Sequence, residues 1–418
     1  MLINQYDKLI LVLHDGLRRN LYLSIAEAAK DNNMNVVIFC FSIEEYYWFK
    51  INFDQKNCIS LIRNHKPNKL DSGKVERSID VVADFISINQ AAKIYSSMLN
   101  ALNNEVLAQE KTIIFGGNGL HSFDIAIKNF SLAHPNIHTI FSELSNIDNK
   151  TFFDCLGSNA SSFFYKALKN NSISFPNYNN EKFKKWKEDY CKHKLSTHII
   201  KQAPQRNLVK KIIHRICGLI EIVLNIPSYQ KYKFTYNLKK KKKKKTIYIE
   251  SWNGHIDEIE KKENYIFFPL QVFEDSQIKL HSNIDNLSAI KHLNKLAEEL
   301  KLTLVIKPHP AETNRYALDS ILELKKIYKF KISNKNTFEL IKHSQKTVVI
   351  NSTVGLESIL LNKETIFLGE SFYKYFSDEK ILNYYLNHWL IDIDIFSHQK
   401  ISNDKLNAIL EKANNIHD

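Results

Sequence analysis

Two adjacent carboxylates, Glu274 and Asp275, lie in the run Pro269-Leu-Gln-Val-Phe-Glu-Asp-Ser-Gln277. A cation and an imidazole alternate with prolines in Lys307-Pro-His-Pro310, and hydroxyls precede an acid in Asn351-Ser-Thr-Val-Gly-Leu-Glu357. These residue types suit transfer of a sugar from a phosphorylated donor. One carboxylate can act at an anomeric carbon whose transition state resembles an oxocarbenium ion, while another group manages the acceptor's proton. Neighbouring carboxylates point apart, so one of the pair is expected to be merely solvated, with Gln271 and Gln277 available as hydrogen-bond partners. Pro308 and Pro310 restrict the backbone around His309, which together with Lys307 suits a phosphate, although a histidine between prolines is as often a structural feature of a loop. Ser352 or Thr353 can cap the next helix, whose free N–H groups suit an anion. Gly355 leaves room for a ligand, and Glu357, one turn in, can accept from ribose hydroxyls. Plain helix capping is the alternative, but Thr353 and Glu357 are one residue too far apart for a capping box.

Each of these segments follows a run that reads as a strand, and open α/β sheets bind ligands at that edge. In the first half the pattern predicts strands at Lys8 to Leu13, Asn35 to Phe41, Thr112 to Phe115 and His138 to Phe141, with helices from Arg18 to Lys30 and from His121 to Leu132. The second half predicts strands at Thr246 to Glu250, Tyr265 to Phe268, Thr303 to Ile306, Lys331 to Ser333, Thr347 to Ile350 and Glu364 to Leu368, separated by helices. Alternation of this kind gives parallel sheets covered by helices. The expected fold is α/β and GT-B-like, two Rossmann-like domains facing across a cleft. Residues 1–200 would form the acceptor-side domain, 201–245 a basic amphipathic segment or linker, and 246–418 the nucleotide-sugar donor domain.

All of the formal charge of +13 sits in that middle segment, where 14 Lys or Arg between Lys201 and Lys245 meet one acid, Glu221. Lys210, Lys211, His214, Arg215 and Glu221 fall on one side of a helix, and Leu208, Ile212, Ile216, Leu219, Ile220 and Val223 on the other. Pro227 ends this helix, and seven lysines, Lys239 to Lys245, follow. A basic amphipathic helix beside a polybasic run suits an anionic membrane surface, at about 1 kcal/mol per basic residue near it. Lys210, Lys211, Arg215, Lys239 and Lys245 are the membrane-associating candidates. A core-packed helix with a solvated linker is the plainer alternative. Nucleic acid is not an expected partner, because the lysines come without a recognisable binding fold or interleaved aromatics. Phe183, Trp186 and Tyr190 share one helical face among lysines, where ordinary packing competes with an interfacial role. No window reaches the roughly 18 to 20 apolar residues of a membrane span, and the N-terminus has no signal-peptide pattern. Five scattered cysteines, none in a C-x-x-C spacing, fit a reducing cytoplasm and no cysteine-held metal.

The runs FPLQVFEDSQIKLHS, KPHP and NSTVGLES, in this order over residues 246 to 370, resemble the capsule polysaccharide biosynthesis family, whose members include bacterial β-Kdo transferases of the capsule lipid linker. In the first half, Phe115-Gly-Gly-Asn-Gly-Leu-His121 stands in place of a family G-D-x-R-x-x-H segment, keeping only the histidine, and Ser142-Glu-Leu-Ser145 in place of an E-E-G or E-D-G motif. The resemblance implies that Asp275 is the essential carboxylate, acting as nucleophile of a retaining double displacement, and that Glu143 is the general base. It gives Gln271, Lys307, His309, Ser352, Thr353 and Glu357 to donor binding. It implies no metal and no cofactor beyond a CMP-sugar substrate. The expected activity is transfer of Kdo from CMP-Kdo to a phosphatidylglycerol-type lipid or lipid-linked acceptor, in the cytoplasm and peripheral on the inner membrane. Capsule assembly or export proteins are possible partners. The alternatives are a transferase using CMP-sialic acid or another nucleotide sugar, and a noncatalytic assembly partner.

Overall fold

Runs of Val, Ile, Leu and Phe too short for helices form the strands of two separate sheets, whose central strands, Lys8–Leu13 and Tyr265–Pro269, are buried on both faces as in covered parallel sheets. The computed structural model describes residues 2–145, 147–177, 179–196, 208–240, 249–260 and 262–413. The chain divides into two units, residues 1–172, 206–241 and 385–418 forming unit 1, and residues 173–205 and 242–384 forming unit 2.

Unit 1 contains β1 (Lys8–Leu13), β2 (Asn35–Cys40), β3 (Ile59–Leu61), β4 (Thr112–Phe115), β5 (Ile137–Leu144) and β6 (Thr151–Asp154), in the order β3-β2-β1-β4-β5-β6. All neighbours pair in parallel except β5 and β6, which are antiparallel. Unit 2 contains β7 (Tyr265–Pro269), β8 (Thr303–Lys307), β9 (Phe330–Ile332), β10 (Lys346–Val349) and β11 (Glu364–Phe367), in the order β11-β10-β7-β8-β9, all parallel. Both sheets therefore share one plan. The first strand of each lies at the centre, the next two run outward on one side, and the later ones on the other. This is the Rossmann order, and it places a topological switch point beside the first strand, between β1 and β4 in unit 1 and between β7 and β10 in unit 2. The α/β class with two Rossmann-like sheets is thus the observed one.

The division differs from 1–200, 201–245 and 246–418 in three places. The helix Asn180–Ser196 belongs to unit 2, where Lys187 Nζ donates to Asn362 Oδ1 at 2.8 Å and Tyr190 packs on Phe338. The helices Leu208–Val223 and Tyr229–Lys240 fold with unit 1 rather than standing apart as a linker. Gln90 Nε2 donates to Thr235 Oγ1 at 3.1 Å, and the Tyr236 hydroxyl to Asp84 Oδ1 at 2.8 Å. The C-terminal residues return to unit 1, where Thr151 bridges to Ile391 and Leu406, Ile409 and Leu410 join the core against Ile25 and Ala29. The strand expected over Thr246 to Glu250 lies mostly outside the described residues, and Ile249–His255 forms a short 3-10 helix. Among the described residues no helix is long and apolar enough to cross a membrane.

Candidate functional site

The switch point of unit 2 is closed by two amides. Gln271, just after β7, donates from Nε2 to Asn351 Oδ1 (2.9 Å), and Asn351 N, just after β10, donates to Gln271 Oε1 (3.1 Å). Gln271 Nε2 also reaches Asp275 Oδ2 at 3.2 Å, while Asp275 Oδ1 accepts from Gln277 N at 2.8 Å and so caps the helix Ser276–His281. The adjacent carboxylates do point apart. Glu274 pairs with Lys279, and Asp275 lies near enough to His309 for its charge to act on the ring.

His309 Nδ1 accepts from Ala311 N at 3.1 Å, so the ring's proton belongs on Nε2, free to donate. Burial pulls its pKa below the ordinary imidazole value, with Asp275 and Glu312 opposing and Lys307 reinforcing the fall. A neutral donor results. Glu312, which no sequence reading singled out, is buried and ties the two loops together, accepting from Phe273 N at 2.7 Å and from Asn314 N at 2.7 Å. Its place two residues after the Lys-Pro-His-Pro run was the one signal available.

Lys307 Nζ donates to Lys335 O (2.7 Å) and Thr337 Oγ1 (3.0 Å), and burial lowers its pKa against the pull of Glu357. Glu357 is itself nearly buried. Desolvation raises its pKa, opposed by Lys194 at 3.6 Å and by Lys307. Lys194 comes from the helix Asn180–Ser196, which sequence reasoning had placed in the other domain. Ser352 Oγ accepts from Val354 N at 3.2 Å, and Thr353, in the N-cap position, makes no side-chain capping bond. Gly355 has a different purpose from the one expected. A Cβ there would stand 2.4 Å from the Phe367 ring, so the glycine lets the helix Val354–Leu360 lie flat on β11 rather than admitting a ligand.

Unit 1 carries a second constellation at its own switch point. The loop after β4 holds Gly116, Gly117 and Gly119, and its amides point at a side chain of the same chain: Asp124 accepts from Gly117 N (2.6 Å), Gly119 N (3.0 Å) and His121 N (3.1 Å). Gly119 sits at φ +82, and a Cβ there would lie 2.5 Å from Gly157 Cα. The glycine-rich turn is thereby filled by an internal carboxylate, and it sets His121 at the first turn of the helix Ser122–Ala133. His121 Nδ1 meets Asp80 Oδ1 at 2.7 Å, and Asp80 Oδ2 accepts from Ser122 N (2.6 Å), Ser122 Oγ (2.6 Å) and the Tyr229 hydroxyl (3.0 Å). His14, from the loop after β1, packs its ring 4.4 Å from that of His121 and stands 3.1 Å from Asp15. These four residues help line a cavity of about 1160 Å³ together with Phe85, Leu219 and Ile222. Asp80 was not foreseen, because it lies 41 positions before its partner in no local motif.

Glu143, on β5, accepts at Oε1 from Leu144 N at 2.9 Å. In the helix Leu208–Val223, Glu221 is fully buried rather than sharing a solvent-facing side with the bases, and it accepts from Ile43 N at 2.9 Å and from the Ser228 hydroxyl. Of the apolar positions whose burial is described, Ile216 is exposed at 52%, Leu219 at 60% and Val223 at 83%. Lys210, Lys211 and Arg215 belong to this helix and Lys239 to the helix Tyr229–Lys240, whereas Lys245 lies outside the described residues. All five cysteines are free thiols, and among the described residues no group of three or more His, Cys, Asp or Glu could hold a metal.

Residues 171–377 match the family model described as Capsule polysaccharide biosynthesis protein. Among curated proteins, Protein FixF of Sinorhizobium fredii (strain NBRC 101917 / NGR234) is 37% identical over 114 residues, 26% of this chain and 27% of that protein, so the match spans about a quarter of its length. Among solved structures, Thermosulfurimonas dismutans KpsC, beta Kdo 2,7 transferase, is 16% identical, with 75% of this chain and 80% of that chain covered at a TM-score of 0.31. The UDP-GlcNAc 2-epimerase of Methanocaldococcus jannaschii, in complex with UDP-GlcNAc and UDP, is 13% identical, with 97% and 98% covered at a TM-score of 0.29.

Proposed function

The chain belongs, through residues 171–377, to the capsule polysaccharide biosynthesis family, and on that premise we propose that it is a glycosyltransferase moving Kdo from CMP-Kdo to a phosphatidylglycerol-type lipid or lipid-linked acceptor. One observation carries this reading: Asp275, Gln271, Asn351 and His309 meet around the switch point of the unit 2 sheet, where such a sheet binds its ligand. In it, unit 2 holds the donor and unit 1 the acceptor.

His309, neutral and with Nε2–H free, donates to a phosphate oxygen of the nucleotide. Lys307 supplies positive charge from its anchored position, and Glu357, with Ser352 and Thr353 at the head of its helix, binds ribose or the nucleotide. Asp275 is the carboxylate at the anomeric carbon, its orientation fixed by Gln271 and by the capping bond from Gln277 N. For the acceptor's proton the family resemblance offers Glu143, on β5 of unit 1. No metal is required, since the developing phosphate charge is met by His309 and Lys307. The exposed Ile216, Leu219 and Val223, in a stretch of sequence that carries the chain's excess of lysine, support peripheral attachment to an anionic membrane where a lipid acceptor resides.

Purified protein incubated with phosphatidylglycerol and, in parallel, CMP-Kdo or CMP-sialic acid should yield a glycosylated lipid from CMP-Kdo by mass spectrometry. Product from another donor alone would remove the Kdo assignment, and product from none would remove the transferase. For the membrane, replacing Lys239 to Lys245 by glutamine should weaken sedimentation with anionic vesicles and leave neutral vesicles unaffected. Equal binding to both, before and after replacement, would exclude the attachment.

A further inference from the structure

Both sheets share one strand order, so both have a switch point, and the one in unit 1 gathers His14, Asp15, Asp80 and His121. What they form is a proton-handling pair at a cavity. Asp80 is fully buried and fixed by Ser122 N, Ser122 Oγ and Tyr229, and it engages Nδ1 of His121 at 2.7 Å. With Nδ1 committed, Nε2 is the ring nitrogen left for the cavity that His121 lines. The walls are mixed. Phe85, Ile86, Leu219 and Ile222 give apolar surface beside the imidazole, and two of them lie on the helix Leu208–Val223.

We propose that His121, oriented by Asp80, is the group that takes the proton from the acceptor hydroxyl, and that the cavity at the unit 1 switch point receives a hydroxyl-bearing amphiphile. The proposal rests on the transferase reading and sharpens it. In the transfer step the acceptor oxygen forms a bond to the anomeric carbon, and the bond from that carbon to its leaving oxygen breaks with the electron pair staying on that oxygen. The acceptor proton passes to Nε2 of His121. The leaving oxygen is the donor's phosphate in a direct displacement, or the Asp275 carboxylate if a glycosyl-enzyme forms first. The apolar walls take the hydrocarbon portion of the acceptor.

Three further observations favour His121 for this task. Glu143, to which the family resemblance gives the role, uses Oε1 to accept from Leu144 N and is not among the residues lining the cavity. Burial pulls the His121 pKa down, but the charge of Asp80, its hydrogen bond, and the charges of Asp124 and Asp15 outweigh this and leave it raised. Asp80 responds in the opposite sense, its own burial overcome by His121 and the bonds from Ser122, so its carboxylate stands ready to stabilise the imidazolium that forms when His121 takes a proton. The titratable groups around the ring are Asp80, Asp124, Asp15, His14 and Tyr229. Across the cavity stand Arg19, Glu44 and Glu45, tied to one another, with Lys231 and Lys233 beyond. Finally, the glycine-rich turn below His121 is occupied by Asp124, which leaves it no vacancy for a phosphate and suits a neutral hydroxyl instead.

The test uses the full chain with CMP-Kdo and dihexanoylphosphatidylglycerol, comparing wild type with His121→Ala. Loss of a general base lowers the rate by about 10²- to 10⁴-fold, so kcat should fall by at least about 100-fold. The KM for CMP-Kdo should stay within about threefold, and added imidazole should restore part of the rate. Wild-type kcat in a folded His121→Ala or His121→Gln protein overturns the proposal, as does a lost rate that imidazole cannot raise in either variant. The functional reading is judged separately by whether wild type turns over at all. If it does not, the decision passes to ¹⁵N-histidine NMR of the wild type, with the His121 resonance assigned by its loss in His121→Gln. A shift of Nε2 on adding dihexanoylphosphatidylglycerol upholds the acceptor site, and an unchanged resonance at saturating lipid rejects it.

Discussion

The two switch points share a strand order and differ in the state of their histidines. In unit 2, His309 is held neutral by burial, its Nδ1 accepting a backbone amide, so it can donate to an anion without titrating near neutral pH. In unit 1, His121 is pushed the other way, a buried carboxylate favouring the protonated ring over the cost of burial. Topology decides where a ligand can sit. The surroundings, a buried carboxylate against one ring and burial around the other, decide what the imidazole does there.

The sharpest break of this comparison is Asp275→Asn. The substitution keeps the shape of the side chain but removes the charge from the donor-side cluster, and kcat should drop by at least about 10³-fold with CMP-Kdo binding altered little, as read by calorimetry beside the assay. Unaltered turnover would empty unit 2 of its catalytic role. His309→Ala comes next. A hydrogen bond to a charged group contributes about 1.5–3 kcal/mol, so the KM for the donor should rise about 10- to 100-fold while that for the lipid stays put. A rise in both would mean that the ring supports the loops rather than the phosphate.

Asp80→Asn probes the other histidine through its pH profile. A base works only when deprotonated, so the wild-type rate should climb with pH through the raised pKa of His121. Loss of the neighbouring charge should move that inflection to lower pH, and a profile that stays where it was would separate Asp80 from the titrating group. The smallest effect concerns stability alone. Gly355→Ala places a Cβ against Phe367, and overpacking of this kind costs about 1–3 kcal/mol, which a urea denaturation midpoint will register, whereas a neutral result would show that β11 yields.

Strands were the most legible part of the chain. Thr112–Phe115 falls where the pattern of apolar residues puts it, and the helix expected from His121 to Leu132 runs from Ser122 to Ala133, because local burial on a sheet or helix face dictates both. What the pattern could not convey was partnership at long range. The helix Asn180–Ser196 is polar along most of its length, and its attachment to unit 2 depends on Lys187 and Lys194 finding Asn362 and Glu357 far along the chain. The Asp80 to His121 pair is of the same kind. Glu221 was misread for a different reason: helical periodicity sorts polar from apolar positions, but it cannot tell that a buried backbone amide, Ile43 N, awaits a carboxylate on what would otherwise be the solvent side. Asp275, Gln271 and His309, named from their motifs, come together in space because their loops are short and begin at neighbouring strands.

The way the chain leaves unit 1 and comes back to it affects its biosynthesis. Leu406, Ile409 and Leu410 complete the packing around Ile25 and Ala29, so the first of the two sheets to be synthesised cannot close its core until the second has been made and residues 406–410 have emerged from the ribosome. Domains generally mature in the order of their synthesis, and here that order is reversed. The later-made sheet can settle first, while the earlier one waits with an unfinished apolar surface that a chaperone would have to shield.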